Sequence, residues 1–115
     1  MIELIEEGKS YDLTHPSGAV FKMASWTFGM QEELDRKCFI NDGKGGFNWD
    51  AIMERRLKIS QALLDWNGVC VGGQDVPCTA ENKMKLPVGI IYWLIKEIDE
   101  RAGFRMTDTE KKISI

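Results

Sequence analysis

The spacing of apolar and polar residues near the start of the chain predicts a β-hairpin. Residues 11–15 alternate between the two classes, and residues 19–25 are rich in β-branched and aromatic side chains. The Pro-Ser-Gly sequence at 16–18 supplies turn residues between these two segments. A further short strand is predicted from three apolar residues near the N-terminus, Ile2, Leu4 and Ile5.

The next segment predicts a helix that runs from Thr27 to about Phe39. Thr27 is a suitable N-cap, because its hydroxyl can accept a hydrogen bond from a backbone N–H of the first turn. Met30, Leu34 and Cys38 recur every four residues and therefore fall on one helical face.

A second helix is predicted over residues 49–66, after a glycine-rich segment at 41–46 that predicts a flexible loop. Asn48 is its expected N-cap, and Gly68 marks its end because glycine adopts a left-handed conformation without steric cost. Its apolar positions recur at helical spacing: Trp49, Ile52, Met53, Leu57, Ile59, Leu63, Leu64 and Trp66.

The last third of the chain predicts a second hairpin, a short helical turn and a closing helix. Residues 69–71 and 76–77 flank the turn-forming residues 72–75, and a helical turn is expected over 79–85. The closing helix begins at Pro87 and ends at Gly103. Its core stripe is Ile91, Leu94, Ile95, Ile98 and Ala102.

Together these elements predict an α+β fold, with three principal helices packed with two short β-hairpins that form a small antiparallel sheet. The length of 115 residues suits one domain with one core. The expected boundaries are a single domain over residues 1–104 and a polar, flexible tail over residues 105–115.

Charge and composition narrow the classes of function. The 18 acidic residues outnumber the 15 Lys and Arg, so the net charge is −3, which argues against nucleic acid as the main partner. The one local basic run, Arg55-Arg56-Leu57-Lys58, is interpreted as a solvated helix face. No apolar run approaches the ~20 residues that span a bilayer, so no membrane association is expected. An odd number of cysteines suits a reducing compartment such as the cytoplasm.

The candidate residues for chemistry do not form a recognisable site. His15 is the only histidine and is expected to be an exposed turn residue. Cys70 and Cys78 lack the spacing and partners of a metal site, and Cys38 is expected in the core. The Gly43–Gly46 segment lacks the remainder of a phosphate-binding loop. The acids considered for catalysis are scattered: Asp12, Glu33, Asp50, Asp65 and Asp75. Accordingly, we expect no catalytic residue, no cofactor, no metal and no enzymatic activity.

Aromatic residues are the stronger indication, because they are favoured as binding hot spots at protein interfaces. The chain contains four tryptophans, most of them expected in the core. Trp26, at the predicted junction between strand and helix, is the one expected to be exposed and to face a partner. Phe28 and Phe47 are expected to border the same loops, so Trp26, Phe28 and Phe47 form the predicted protein-binding set.

The order of several motifs resembles that of small tail assembly chaperones of long-tailed phages and prophages. The resembling segments are Thr14-His-Pro-Ser-Gly-Ala-Val-Phe21, Trp66-Asn-Gly-Val69, Val76-Pro-Cys-Thr-Ala-Glu-Asn-Lys83 and the apolar helix 87–102. The resemblance covers most of residues 10–104. These motifs are structural, so no catalytic or binding position is carried over from the family.

The resemblance implies a non-enzymatic protein that works in the host cytoplasm. Such a chaperone binds the tape-measure protein and keeps that long, aggregation-prone helical chain soluble until tail tube subunits polymerise around it. The tail tube protein is a further candidate partner. Two alternatives stay open: a structural tail or head–tail connector subunit, and a small bacterial enzyme or regulator with an unrecognised site. The sequence leaves the oligomeric state open.

Overall fold

A computed structural model describes residues 1–6 and 8–103, and within these residues the chain forms four helices and seven short strands. In chain order the elements are β1 (Ser10–Thr14), β2 (Val20–Ala24), α1 (Phe28–Cys38), β3 (Phe39–Asn41), β4 (Phe47–Trp49), α2 (Ala51–Ala62), β5 (Leu63–Asn67), β6 (Cys70–Val71), β7 (Gln74–Asp75), α3 (Ala80–Lys83) and α4 (Val88–Ala102). The predicted α+β class is confirmed. The predicted tail at 105–115 lies outside the described residues.

The helices pack on one face of a three-stranded antiparallel sheet whose order is β1-β2-β5. The central strand β2 alternates, so that Phe21 and Met23 are buried while Lys22 is exposed. The other fully buried large side chains come from the three long helices and from β5: Leu34, Cys38, Ile59, Leu63, Leu94 and Ile98. These residues form one cluster, which is the core of the domain.

The first hairpin and the first helix are confirmed. Strands β1 and β2 pair with Thr14 opposite Val20, on either side of the predicted turn. Thr27 is the N-cap of α1, and its Oγ1 accepts a hydrogen bond from the Met30 backbone N–H at 3.2 Å. In contrast, residues 1–6 contain no strand, so the additional strand predicted there is wrong.

The helix predicted over residues 49–66 is wrong at both ends. Asp50 rather than Asn48 is the N-cap, and its carboxylate accepts a hydrogen bond from the Met53 N–H at 3.0 Å. The helix ends at Ala62, and the chain continues directly into β5, which pairs with β2. Leu63 and Trp66 therefore belong to a strand.

A β-bulge explains why the residues of β5 resemble a helical pattern. Lys22 pairs with Asp65, but Met23 pairs with Leu63, so Leu64 is an extra residue without a partner on β2. The extra residue shifts the alternation of side chains. In consequence Leu63 and Trp66, which are three residues apart as on a helix, both face the core cluster.

A hairpin forms where the sequence predicts a flexible loop. Strands β3 and β4 flank residues 42–46, so the described chain has three hairpins rather than two. The predicted second hairpin is present as β6 and β7, but β7 lies within the segment predicted as the turn, and residues 76–77 are not a strand. The position of this hairpin is held by Trp66, whose indole N–H donates to the Val76 backbone carbonyl at 2.7 Å.

The short helical turn and the closing helix are confirmed. Thr79 caps α3, and Pro87 immediately precedes α4. Gly103 ends α4 in the left-handed conformation at φ 83°. Leu94 and Ile98 are fully buried, and the rest of the predicted stripe is half-buried against the core. No helix in the described part of the chain is both long and apolar enough to cross a membrane.

A buried ion pair joins α2 to α4. The Lys58 ammonium donates to the Asp99 carboxylate at 2.7 Å and lies 3.7 Å from the Glu54 carboxylate. Lys58 is the one buried charged residue of the described chain. Because a charge in a low-dielectric environment is costly unless it is paired, this contact fixes the position of α4 relative to α2.

We expect Gly68→Ala to destabilise the fold by about 1–3 kcal/mol. Gly68 has φ 84°, and an added Cβ would lie 3.2 Å from the Ala19 Cα. Gly89→Ala is the matched control, since Gly89 lies in α4 with open space around it. There alanine should stabilise the helix by about 0.5–1 kcal/mol. Urea unfolding measures both, and equal effects at the two positions would contradict the strained turn.

We expect Asp99→Asn to lower the free energy of unfolding by about 1–2 kcal/mol. Lys58 would remain buried, but the carboxylate at position 99 would be replaced by a neutral amide. The matched control is Glu32→Gln, which weakens an exposed ion pair with Arg36 and should change stability by less than about 0.5 kcal/mol. The same urea titrations compare them. A loss no larger than that of the control would show that the pair contributes little.

Candidate protein-binding surface

Three aromatic side chains form a cluster on one face of the β3–β4 hairpin. Phe39 pairs with Trp49, and Phe47 lies two residues before Trp49 on the same face. The Phe39 ring centroid is 5.0 Å from that of Trp49 and 6.2 Å from that of Phe47. Both pairs are nearly perpendicular, which is a favourable geometry for aromatic rings. We refer to Phe39, Phe47 and Trp49 as the aromatic cluster.

The aromatic cluster is open to solvent. The exposed fractions are 56% for Phe39, 69% for Phe47 and 40% for Trp49. Ile40, on the opposite face of the hairpin, is exposed as well. Single exposed apolar residues are common on protein surfaces, but a group of large exposed rings joined by ring contacts is characteristic of an interaction site.

Local hydrogen bonds hold the hairpin in a defined shape. The Asp42 carboxylate accepts from the backbone N–H groups of Lys44 at 2.7 Å and Gly46 at 3.0 Å. At the base of the hairpin, the Asp50 N–H donates to the Cys38 carbonyl at 2.8 Å. The turn is therefore closed on itself, and the aromatic cluster is presented by an organised hairpin rather than by the loose loop predicted from the sequence.

Only one of the three predicted binding residues belongs to the aromatic cluster. Phe47 is a member. Phe28 is exposed at 77%, but it begins α1 whereas the hairpin follows the end of that helix. A helix of 11 residues is about 16 Å long. Phe28 and Phe47 are thus separated by the length of α1 and do not border the same loops.

The prediction that Trp26 is exposed is wrong. Only 8% of this residue is accessible, and it belongs to the core cluster. Its indole N–H donates to the Gln31 side-chain carbonyl at 2.9 Å. A tryptophan can be buried when its one polar group finds a partner, and Gln31 on α1 supplies that partner. Trp26 therefore anchors the start of α1 and is removed from the binding surface.

The sequence prediction missed Phe39 and Trp49 as surface residues. The sequence pattern places Phe39 at the end of a helix and Trp49 in an apolar helical stripe. The signal that could have identified them is the Phe-Asn-Trp alternation at 47–49 together with Asn41-Asp42-Gly43, a turn sequence typical of hairpins.

His15 has a structural role in the first hairpin. The Ser17 hydroxyl lies 2.8 Å from His15 Nδ1, and the Ser17 backbone N–H donates to that same nitrogen at 3.1 Å. The imidazole also packs edge-on against Trp93, with ring centroids 4.9 Å apart. His15 is therefore half-buried rather than exposed. A nitrogen that already accepts a backbone N–H is poorly placed to act as general base for the adjacent hydroxyl.

The Cys38 and Cys78 thiols are unlike those of catalytic cysteines. Burial raises the pKa of the Cys38 thiol, and the carboxylates of Glu54, Asp50 and Asp35 raise this pKa further. Burial also raises the pKa of Cys78, partly opposed by Lys83. A raised pKa reduces the fraction of reactive thiolate. Cys70 is exposed, and all three cysteines are free.

Of the scattered acids, only Asp12 and Asp65 lie close together, on the solvent face of the sheet. Lys22 on β2 pairs with Asp12 on one side and with Asp65 on the other. The three residues form a row of alternating charges across three strands, a cross-strand order that favours sheet pairing. Among residues 1–6 and 8–103, no three His, Cys, Asp or Glu side chains are arranged to hold a metal ion.

We expect a thiol reagent such as DTNB to modify Cys70 rapidly in the folded protein and Cys38 only after unfolding. Cys38 is buried, and its pKa is raised because the folded protein favours the neutral thiol. The contribution of this neutral thiol to folding stability is present below about pH 8.5 and is lost as the pH rises through the raised pKa. Mass spectrometry of partly labelled protein at pH 7.5 identifies the sites. Rapid labelling of Cys38 in native protein would contradict its placement in the core.

Comparison of the chain with models of known protein families, with curated protein sequences and with solved structures gave no match in any of the three.

Proposed function

We propose that this domain is a phage or prophage tail assembly chaperone that binds the tape-measure protein through the aromatic cluster. The observation that carries the proposal is the group of three contacting, exposed rings on the organised β3–β4 hairpin. The resemblance of residues 10–104 to this family supplies the biological setting. The role is non-enzymatic, and its setting is the host cytoplasm, where tails are assembled.

The aromatic cluster is chemically suited to a long amphipathic helix. Such a helix exposes an apolar stripe that aggregates unless another apolar surface covers it. Aromatic rings offer a large contact area with few rotatable bonds, so they bind at a low cost in conformational entropy. Each ring that becomes buried contributes on the order of 1 kcal/mol.

The size of the surface favours a reversible interaction. Strands β3 and β4 contain three residues each, so the hairpin presents less than the ~800 Å² per partner of a standard stable interface. Modest affinity suits a chaperone, because the tape-measure chain must be released when tail tube subunits polymerise around it. Several copies spaced along one chain would cover it without a tight individual complex.

The alternative of a structural tail or connector subunit draws support from the open sheet edges. Within the described residues, β1 and β5 form the two edges of the three-stranded sheet and have unpaired backbone groups on their outer sides. An edge of this kind can add a strand from a neighbouring subunit. This alternative expects rings or tubes in solution and retention of the protein in finished tails.

We expect the double variant Phe39→Ser/Phe47→Ser to lose the ability to keep the tape-measure protein soluble. Two lost ring contacts at about 1 kcal/mol each weaken binding by roughly thirtyfold. The test is co-expression with the tape-measure protein encoded beside this chain, followed by solubility and co-elution. The matched control is Val88→Ser, which changes an exposed apolar residue of α4 outside the aromatic cluster.

A second variant, Phe28→Ser, examines the predicted binding residue at the far end of α1, and we expect it to retain binding. Circular dichroism confirms that each variant is folded. If the wild-type chain leaves the tape-measure protein insoluble, the chaperone proposal fails. If the double variant keeps the tape-measure protein soluble as well as the wild type does, the aromatic cluster is not the binding surface. Self-assembly into rings that persist in purified tails would favour the structural subunit.

A further inference from the structure

A second surface lies between α2 and the region where α3 leads into α4. It consists of two adjoining concavities of about 260 Å³ and about 170 Å³, which share Arg56, Lys83 and Met84. We refer to this surface as the α2–α3 groove. It is built by elements other than the β3–β4 hairpin, and the inference drawn from it does not depend on the viral assignment.

Apolar side chains line the α2–α3 groove. Ile52 and Leu57 come from α2, Met84 follows α3, and Ile91 comes from the first half of α4. Ile52 and Met84 are both exposed. The flexible side chain of methionine adapts to differently shaped partners, which makes it common in apolar binding grooves.

Positive charges border the same groove. Within the described residues, neither Arg55 nor Arg56 is in an ion pair or a side-chain hydrogen bond, and the Lys83 ammonium reaches only the Ser60 carbonyl at 3.4 Å. The neighbouring carboxylate of Glu54 is already occupied by Lys58.

Several other cations of the described chain do have carboxylate partners. On α1, Arg36 and Lys37 pair with glutamates one turn away, and Lys85 likewise pairs with Glu81. The chain as a whole carries a net charge of −3. Three cations without carboxylate partners around one apolar groove, in an acidic protein, are complementary to a partner with negative charge.

The length of the groove suits a helix. The α2 residues that line the two concavities run from Ile52 to Ser60, which is about 12 Å along the helix axis. Two apolar side chains on successive turns of a partner helix would therefore fit the two concavities.

We propose that the α2–α3 groove binds an acidic amphipathic helix of a partner protein. The apolar residues of that helix would enter the two concavities, and carboxylates beside the apolar stripe would pair with Arg55, Arg56 and Lys83. Arginine is suited to this role because its planar guanidinium can bind a carboxylate with two hydrogen bonds. The apolar contacts supply affinity, and the cations select the charge and orientation of the helix.

The probe for this proposal is a pair of synthetic amphipathic helical peptides of about 18 residues, or five turns. Both carry leucines at i, i+3 and i+4 positions. One has glutamates beside the leucine stripe, and the other has lysines at the same positions. By fluorescence anisotropy we expect the glutamate peptide to bind the full chain at least about tenfold more tightly than the lysine peptide, with affinity falling as salt is added.

The decisive variant is Arg55→Glu/Arg56→Glu. It should lower the affinity for the glutamate peptide by about tenfold or more and raise the affinity for the lysine peptide. The matched control is Lys44→Glu/Lys96→Glu. It produces the same change in net charge at two exposed positions outside the groove, and it should leave the preference unchanged. If the first double variant does not fold, Arg55→Gln/Arg56→Gln tests the same cations with a smaller change.

Several outcomes would overturn the proposal. They are the absence of binding, equal binding of the two peptides, and an equal loss of affinity in the arginine variant and its lysine control. Dimerisation of the free chain that Arg55→Glu/Arg56→Glu abolishes would show that a second copy occupies the groove instead. The aromatic-cluster variant Phe39→Ser/Phe47→Ser should bind the glutamate peptide normally, so failure of the groove and failure of the chaperone proposal are distinguishable.

Discussion

The pairing of β5 with β2 determines how the rest of this domain is arranged. Strand β5 continues from α2 without an intervening loop, so the sheet position of β5 also fixes α2. The bulge at Leu64 allows Leu63 and Trp66 to face the core together. Trp66 in turn holds the following hairpin through the Val76 carbonyl. With α2 fixed, the Lys58–Asp99 ion pair positions α4, whose Ile91 lines part of the α2–α3 groove.

The two proposed binding surfaces differ in their physical character. The aromatic cluster offers apolar area with little directional chemistry, so it suits any partner with an exposed apolar stripe. The α2–α3 groove combines apolar walls with cations, so it discriminates by charge. Each surface leaves groups exposed that the core does not require. Stability of the domain therefore does not account for their composition, which is the reason both surfaces are proposed as binding sites.

The sequence was most informative where the signal was local. Thr27, Thr79 and Gly103 act at the helix ends where their side-chain and backbone preferences place them, because a cap depends on atoms within a few residues. The first hairpin was predicted for the same reason. The bulged strand was missed because two apolar residues three positions apart fit a helix and a bulged strand equally well, and only pairing with β2 distinguishes them.

What the sequence by itself determined is the α+β class, the first hairpin, α1 and the two C-terminal helices, and the presence of aromatic residues suited to binding. Only the tertiary structure decided which aromatic residues are exposed. Trp26 is buried because Gln31 satisfies its N–H within the core, whereas Phe39, Phe47 and Trp49 meet on a hairpin that projects into solvent. The exposure of a side chain depends on which elements pack together, and packing joins residues that are far apart in the chain. A local sequence pattern therefore does not predict exposure.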